Sequence, residues 1–420
     1  MEEPIEIDAD PLSGADALLQ AGLTARMQVP EAILELIPSP TITVASLLER
    51  DLPTLLNRRT TGLRPAESCV TDVNARWTTG ELLGSVIPSR TWLSDLEITL
   101  RKRGAAEAQA TSIQHPRITN LYLPLWAVNF WISLADAAGQ RAKWARAQQW
   151  LSERPNRGQM REAKGLMQRI PWGMTVWALT GASSASYVGI LTKFLSTKWL
   201  RERQLDTLMS YLNIRAGEDG VGCWIADVYL SLRLKIVDRA KMGDDSDLNG
   251  YRDKIAASLC KHLLLPANLN NNHWIAFSVD LERNEFRYGE PLRIAASYVL
   301  TAAMADLGDS LDDGTDYADL QRIRLGLGAW MEVAFGVKVE DLGNTLRTGR
   351  QTDGHSCGVC TINAIEHAIL GVPLFAPEDR LSLRVRYFVE AAGYLLRNVR
   401  MSFRTGERAL FTSSPLVSAA

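Results

Sequence analysis

Hydrophobic and polar positions alternate in two neighbouring segments of the C-terminal half of the chain. Residues 275–279 follow His273 in a half-alternating pattern that is typical of a β-strand. A polar turn follows at 282–285, and residues 286–288 form a second strand-like segment, so the pattern predicts a β-hairpin. Because the start of the first strand lies beside the end of the second in a hairpin, Glu290 is expected near His273.

A helical pattern begins at Cys357. Apolar residues recur after it at intervals of three or four, at Val359, Ile362, Ile365, Ala368 and Ile369. This spacing predicts a helix with Cys357 at or near its N-terminus and with Ser356 as a candidate cap. The positive end of a helix dipole favours a thiolate over a thiol, so we expect an activated cysteine at this position.

A cysteine and a histidine that are distant in sequence can meet in a fold, and together they indicate cysteine hydrolase chemistry. Cys357 is the candidate nucleophile and His273 the candidate base. Glu290 is the candidate acid that orients the imidazole, and Asp280 ranks below it because it lies at the far end of the first strand. Gln351, six positions before Cys357, is the candidate donor to a developing oxyanion.

The order and spacing of these residues match a known pattern. Residues 265–274 end in a His-Trp pair, and Glu290 stands 17 residues after His273. Gln351 precedes Cys357 by six positions. In all these intervals the chain resembles the Ulp/SENP family of cysteine proteases, which are specific for SUMO and other ubiquitin-like proteins.

Two upstream segments extend the resemblance. Residues 198–200 (Lys-Trp-Leu) resemble the family's Trp-Leu helix entry, and residues 222–225 (Gly-Cys-Trp-Ile) resemble the short segment that follows it. The resemblance covers roughly residues 190–400, about half of the chain. Four motifs in matching order make it far more specific than any one of them alone.

The resemblance implies a fold and an activity. It implies an α+β protein whose C-terminal half has a papain-like fold, in which a sheet carries His273 and Glu290 and the helix of Cys357 packs against it. It implies a cysteine protease, acting as an isopeptidase or a C-terminal processing enzyme, that cleaves after the Gly-Gly tail of a ubiquitin-like modifier, SUMO first among them. Trp199 and Trp274 would form the walls of a tunnel that admits only glycine. No cofactor or metal is implied.

The chain departs from the family pattern at four places. Glu290 replaces the usual Asp, Pro291 replaces the usual Ser, and Ser356 replaces the usual Asp before the nucleophile. Residues 201–202 (Arg-Glu) replace an Asn-Asp pair in a region that faces the modifier's tail in the family. The first three changes keep the required chemical types, and the last leaves tail recognition open.

The domain organisation follows from these segments. Residues 1–26 are polar and are expected to be loosely ordered, and residues 27–180 are predicted to form a mostly helical region of unknown role. The protease-like domain is expected at 181–404, and 405–420 is expected to be a frayed tail. Within the N-terminal region, residues 121–151 predict one helix or two, with tryptophans in the core.

Composition restricts the class of protein. The chain has 420 residues, of which 46% are hydrophobic and 22% charged, as in a folded protein of two or three domains. Five scattered cysteines argue against a disulfide framework, and the N-terminus carries no signal-peptide pattern, so a nuclear or cytoplasmic location is expected. No stretch is apolar and long enough to span a bilayer, so no membrane partner is expected, and the oligomeric state stays open.

Other chemistry fits the same residues less well. Cys357 and Cys360 have the spacing of a redox pair at a helix start, but the Trp and Pro that usually frame a thioredoxin motif are absent. A zinc site made from these two cysteines with His355 and His367 lacks a second ligand pair at the usual spacing.

Two further function classes remain. The fold can persist as a catalytically silent module that binds a modifier without cleaving it. The basic stretch at 141–169, with its tryptophans, can also contact nucleic acid. A solvated helix face explains that stretch better, and the net charge of −2 gives no general support for a nucleic-acid partner.

Overall fold

The computed structural model describes residues 28–52, 64–66, 90–91, 93–96, 112–114, 122–176, 179, 186–291 and 315–404. The predicted loose N-terminus (1–26) and frayed tail (405–420) lie outside these residues. The chain divides into two compact units, Met1–Arg146 with Pro171–Gly173, and Ala147–Ile170 with Met174–Ala420.

The described part of the first unit is built from short elements that precede one long helix. Its helices and strands are α1 (Glu31–Leu34), α2 (Val44–Glu49), β1 (Arg64–Ala66), β2 (Ser112–Gln114), β3 (Tyr122–Pro124) and α3 (Trp126–Ser152), which runs past the unit boundary. The three strands form an antiparallel sheet in the order β1-β2-β3. Trp126, Trp131 and Trp144 are all buried, which confirms the prediction that these tryptophans are core residues.

The second unit carries the sheet and most of the helices. Its elements are α4 (Gln159–Met167), a 3₁₀ helix (Val188–Phe194), α5 (Glu202–Glu218), β4 (Cys223–Ile225), α6 (Val228–Ile236), α7 (Ser246–Ser258), β5 (His262–Leu269), β6 (His273–Asp280), β7 (Glu285–Gly289), α8 (Thr315–Phe335), β8 (Glu340–Asn344), α9 (Cys357–Leu370) and α10 (Arg380–Arg404), with short 3₁₀ turns at Arg239–Lys241 and Pro377–Asp379. Helices and a mixed sheet in one unit give the α+β class that was expected.

The five-stranded sheet has the order β4-β5-β6-β7-β8. Its outer pairs, β4-β5 and β7-β8, are parallel, and its inner pairs, β5-β6 and β6-β7, are antiparallel. The predicted hairpin is β6-β7, and Gly289 at its end pairs with Ala276, so the chain continues from Gly289 towards the start of β6. The hairpin prediction is therefore confirmed.

The turn between β5 and β6 fixes where β6 begins. Leu269 pairs with His273, and three asparagines bridge them. Two of these, Asn270 and Asn271, have left-handed backbone angles (φ 49° and 59°), which asparagine tolerates better than most residues. His273 is thereby placed at the very start of β6, the middle strand of the sheet.

Helices cover both faces of the sheet. Buried side chains of α6, α7 and α8 share one core with alternate residues of β5 and β6, such as Leu265 and Phe277. Trp274 points to the opposite face because successive strand residues alternate, and there α9 packs against β6. Helices α5 and α10 pack in turn against α9. The helix that begins at Cys357 is thus enclosed by β6, α5 and α10.

The second unit begins earlier in the chain than the protease boundary predicted at residue 181. Helix α4 belongs to it because α4 packs against α10, burying Ala163, Leu166 and Met167. Within the described residues, no helix combines the length and the apolarity needed to cross a bilayer.

Candidate active site

Cys357 is the first residue of α9, as the sequence pattern predicted. Its side chain is only 2% exposed. The Sγ atom accepts hydrogen bonds from the backbone N–H groups of Trp274 and Gly358. The nucleophile candidate at a helix start and the first residues of the histidine strand therefore meet in the fold.

Asp353 holds the loop before the helix, and Ser356 does not cap the helix through its side chain. Ser356 occupies the cap position, but its side chain makes no capping hydrogen bond, so that expectation was wrong. The Asp353 carboxylate accepts hydrogen bonds from the N–H groups of His355 (2.9 Å) and Ser356 (2.8 Å), and from the Ser356 hydroxyl (2.8 Å). Burial acts to raise the pKa of Asp353, but these hydrogen bonds outweigh it and hold the pKa below its usual value.

His273 lies beside the predicted acid. Its Nε2 atom is 3.8 Å from Oε1 of Glu290, which is longer than a hydrogen bond, and the imidazole is buried. Glu290 follows β7 directly, and its backbone N–H donates to Asn344 Oδ1 (3.2 Å) on β8. The competing acid Asp280 instead accepts from the turn N–H groups at the far end of β6. Of the two acids, the structure brings Glu290 to the imidazole.

Gln351 lies in the loop between the acid and the nucleophile. Its backbone N–H donates to the carbonyl of Pro291 (3.1 Å), which ties it to the residue after Glu290. Its side-chain Nε2 donates to the Asp353 carbonyl, and its Oε1 is buried without a hydrogen-bond partner among the described residues. The amide is therefore fixed to the loop that precedes Cys357.

The two tryptophans contact the nucleophile segment from different sides. The indole N–H of Trp199 donates to the carbonyl of Gly354, and that of Trp274 donates to the carbonyl of Leu200 (2.9 Å). A side chain in place of Gly358 would meet Leu200 and Trp274 at 3.1–3.4 Å, so this glycine allows the close approach. Trp274 is 1% exposed, whereas Trp199 is half-buried. Their role as tunnel walls stays a prediction.

Burial holds the Cys357 thiol and the His273 imidazole neutral in this structure. Burial raises the pKa of Cys357 to about 11, even though hydrogen bonds from Trp274 and Gly358 act in the opposite direction. Burial also lowers the pKa of His273 to about 4. The helix dipole alone suggested a thiolate, but removal from water penalises the charged forms more strongly. The resting pair is thus a thiol and a neutral imidazole.

Sequence reasoning missed three charged residues that surround the nucleophile loop. Asp353 accepts hydrogen bonds from the loop before the helix, and two arginines of α10 reach the same loop. Arg380 Nη1 lies 3.5 Å from Asp353 Oδ2, and Arg384 Nη2 donates to the His355 carbonyl (3.1 Å). An Asp can accept from backbone N–H groups two and three residues later, which is the local signal at Asp353, whereas nothing near Cys357 in sequence points to α10.

The alternative sites can be compared with the structure. Cys357 and Cys360 both have free, buried thiols in the first turn of α9. His367 points elsewhere, with Nδ1 2.6 Å from the Val372 carbonyl. Among the residues that the structure describes, no group of three or more His, Cys, Asp or Glu side chains is arranged to hold a metal ion.

The basic stretch is partly engaged in local contacts. Arg141 donates to the Leu48 carbonyl (3.1 Å), and Arg154 stacks on Trp150 with its guanidinium 3.6 Å from the ring centre. Arg157 and Arg161 are exposed. A nucleic-acid partner stays a prediction.

Comparisons with known proteins place these observations in context. No protein-family model matches the chain, and no curated protein matches it. Among solved structures, the SUMO protease Ulp1 with its catalytic cysteine oxidised to a sulfenic acid matches with a TM-score of 0.37 and 15% identity over 56% of this chain and 95% of that chain.

Two further structures show a similar degree of likeness. The C-terminal Ulp1 protease domain in complex with Smt3, the yeast ortholog of SUMO, matches with a TM-score of 0.36 and 16% identity over 61% of this chain and 95% of that chain. The Ulp1-like SUMO protease catalytic domain of Chaetomium thermophilum matches with a TM-score of 0.32 and 18% identity over 53% and 87%.

Proposed function

We propose that this protein is a cysteine protease that cleaves after the Gly-Gly tail of a ubiquitin-like modifier, with SUMO as the preferred modifier. The observation that carries the proposal is the convergence of three separate segments. The Cys357 thiol accepts from the Trp274 N–H, and His273, next to Trp274, lies 3.8 Å from Glu290. The motif intervals support the modifier class, and we place the protein in the nucleus or cytoplasm.

The chemistry follows from the roles of these groups. His273 takes the proton of the Cys357 thiol as the sulfur attacks the carbonyl carbon of the terminal glycine. The tetrahedral intermediate collapses, the C–N bond breaks, and the imidazolium returns the proton to the leaving amine. Water then hydrolyses the thioester with the imidazole again acting as base. Glu290 orients the ring and stabilises its charged form.

The neutral resting state favours a general-base route. With the pKa of Cys357 raised to about 11 and that of His273 lowered to about 4, an ion pair is unfavourable before substrate binds. Deprotonation of the thiol therefore accompanies attack. The developing oxyanion is stabilised by the Cys357 backbone N–H and by Gln351, whose side chain is already fixed to the loop.

A reactive probe tests this proposal directly. Purified protein is incubated with C-terminal electrophiles of SUMO, NEDD8 and ubiquitin, and adducts are detected by intact mass. Wild type should form a covalent adduct with the SUMO probe, and Cys357→Ala should form none. Cys360→Ala is the matched control, because this second buried cysteine lies in the same turn and should leave labelling intact.

The outcomes separate the hypotheses. An adduct that survives Cys357→Ala refutes the nucleophile. No adduct with any probe, from protein shown to be folded, counts against the protease. Hydrolysis of a modifier–coumarin substrate by the wild type would then extend the result from labelling to turnover.

One observation favours a second function, a catalytically silent modifier-binding module. Cys357 is almost fully buried and protonated in the unbound state, which is the condition of an inert structural cysteine. Tight modifier binding, measured by calorimetry on fully reduced protein that shows no turnover, would support this function over the protease.

A further inference from the structure

Arg384 is a buried cation behind the nucleophile. It lies on α10, and 1% of its surface is exposed. Its guanidinium donates to two backbone carbonyls, through Nη2 to His355 (3.1 Å) and through Nη1 to Lys193 (3.4 Å). A guanidinium is rarely buried this deeply without a function or a counter-charge, since removing it from water is unfavourable.

Arg384 is one of two arginines of α10 that hold the nucleophile loop, residues 353–356. One helical turn earlier, Arg380 reaches the Asp353 carboxylate (3.5 Å). Asp353 in turn accepts from the N–H groups of His355 and Ser356. Residues 353–356 are therefore held through both a side chain and a carbonyl by one face of α10, directly before Cys357.

Among the residues that the structure describes, Arg384 forms no ion pair with a carboxylate, and Asp353 is the carboxylate that acts on its charge most strongly. The ion pairs of the described residues include Arg380, Arg386 and other cations of the second unit, but not Arg384. Its positive charge acts on the Cys357 and Cys360 thiols and on Asp353. Burial lowers the pKa of Arg384 to about 10, which still leaves it protonated at neutral pH.

We propose that Arg384 is a positioning residue for Cys357, which fixes the preceding loop through the His355 carbonyl and supplies the positive charge that stabilises the sulfur anion as it forms. This role rests on the cysteine-protease function proposed above. Arg384 hydrogen-bonds to carbonyls and keeps its positive charge, which acts on Asp353 and on the Cys357 sulfur. The thiolate is the anion that forms during attack, two residues after the carbonyl that Arg384 holds.

The test measures the reactivity of Cys357 without any modifier. The second-order rate constant for iodoacetamide alkylation of Cys357 is followed from pH 6 to pH 10 by peptide mass spectrometry in the full chain. Arg384→Met, which removes the charge and both hydrogen bonds, should lower the rate at pH 8 about tenfold and displace the profile to higher pH. Arg384→Lys, which keeps the charge but loses the planar fork, should lower it about threefold.

Arg386→Met is the matched control. Arg386 lies two residues later on α10 and pairs with Glu366, away from the nucleophile loop, so a merely destabilising change there should leave the alkylation profile at wild-type values. A folded Arg384→Met variant with the wild-type profile overturns the proposal, and so does an equal displacement in Arg386→Met. If circular dichroism shows that Arg384→Met does not fold, the Arg384→Lys variant is the test instead. An alkylation profile of Arg384→Lys that coincides with that of wild type then overturns the proposal.

The readout separates this inference from the protease proposal. Displaced alkylation in the Arg384 variants, together with no cleavage of any modifier by wild type, would support the role of Arg384 and refute the proposed function. Cleavage of a modifier by wild type, together with Arg384 variants that keep the wild-type alkylation profile, would support the proposed function and refute the role of Arg384.

Discussion

At the scale of single residues, solvent exclusion decides the charge state of Cys357 and His273, the candidate catalytic pair. Cys357 and His273 are both almost fully buried, and each has its pKa moved in the direction that favours its neutral form. A helix N-terminus, two N–H donors and the Arg384 guanidinium all favour the thiolate, yet together they are weaker than desolvation. Protonation of the pair is therefore coupled to whatever enters the site.

The buried imidazole predicts a specific pH dependence of stability. The pKa of His273 is about 4 in the folded protein, against 6.5 when it is unperturbed. Between pH 6.5 and about pH 4, the folded state therefore binds fewer protons than the unfolded state. The stability that the neutral imidazole allows is fully present above pH 6.5 and is lost as the pH falls through about 4. His273→Gln should remove about 3 kcal/mol of the fall in unfolding free energy between pH 7 and pH 4.

Guanidinium denaturation at both pH values measures this difference. His262→Gln is the control, because His262 is exposed on the neighbouring strand of the same sheet. Its variant should keep the wild-type difference between the two pH values. If His273→Gln also kept the wild-type difference, the imidazole would not be neutralised by the fold.

At the scale of elements, a single carboxylate ties three helices together behind the site. Glu366 on α9 is fully buried. It pairs with Arg215 of α5 (3.3 Å) and with Arg386 of α10, and accepts from the Tyr387 hydroxyl (3.1 Å). The helix that begins with the nucleophile is thereby fixed at its far end to both of the helices that enclose it.

Removing this carboxylate should be strongly destabilising. Glu366→Ala leaves buried positive charge without compensation, so we expect the free energy of unfolding to fall by about 3–5 kcal/mol. Glu332→Ala is the control, since Glu332 pairs with Arg239 at an exposed site and should change stability by about 1 kcal/mol or less. Denaturant titration of both variants checks this, and equal losses would contradict the special role of Glu366.

The strands and the helix that carry the candidate site residues were predictable from the sequence. The residues that pack around them, and the burial that results, were not. The β6-β7 hairpin and α9 were predictable because two-residue and 3.6-residue periods are local signals. The position of Glu290 beside His273 followed from hairpin geometry alone. By contrast, Arg384 acts on Cys357 through tertiary packing, and the burial that keeps Cys357 protonated is a property of the assembled fold. The helix dipole, which sequence does reveal, gave the wrong charge state for this reason.

At the scale of the whole molecule, the compact unit that carries the site includes helix α4 from the N-terminal half of the chain. Helix α4 packs against α10 and buries three apolar side chains. α10 also carries Arg380 and Arg384, which hold the nucleophile loop. A structural boundary placed at residue 181 would therefore remove a support that lies only one helix away from Cys357.

This packing predicts where the protein can be truncated. A fragment that begins at Ala147 should unfold at a higher temperature than one that begins at residue 181, because the latter exposes the surface of α10 that α4 covers. In the full chain, Leu166→Asp should lower the free energy of unfolding by about 2–4 kcal/mol. Arg161→Asp, at an exposed position of the same helix, should change it by less than about 0.5 kcal/mol. Equal melting temperatures for the two fragments would count against this role of α4.

The short asparagine turn before β6 has a consequence for how this chain can change over generations. Because strand side chains alternate, gaining or losing one residue between Leu269 and His273 would exchange the imidazole and the indole of Trp274 between the two faces of the sheet. Insertions and deletions are therefore expected to be purged at this turn.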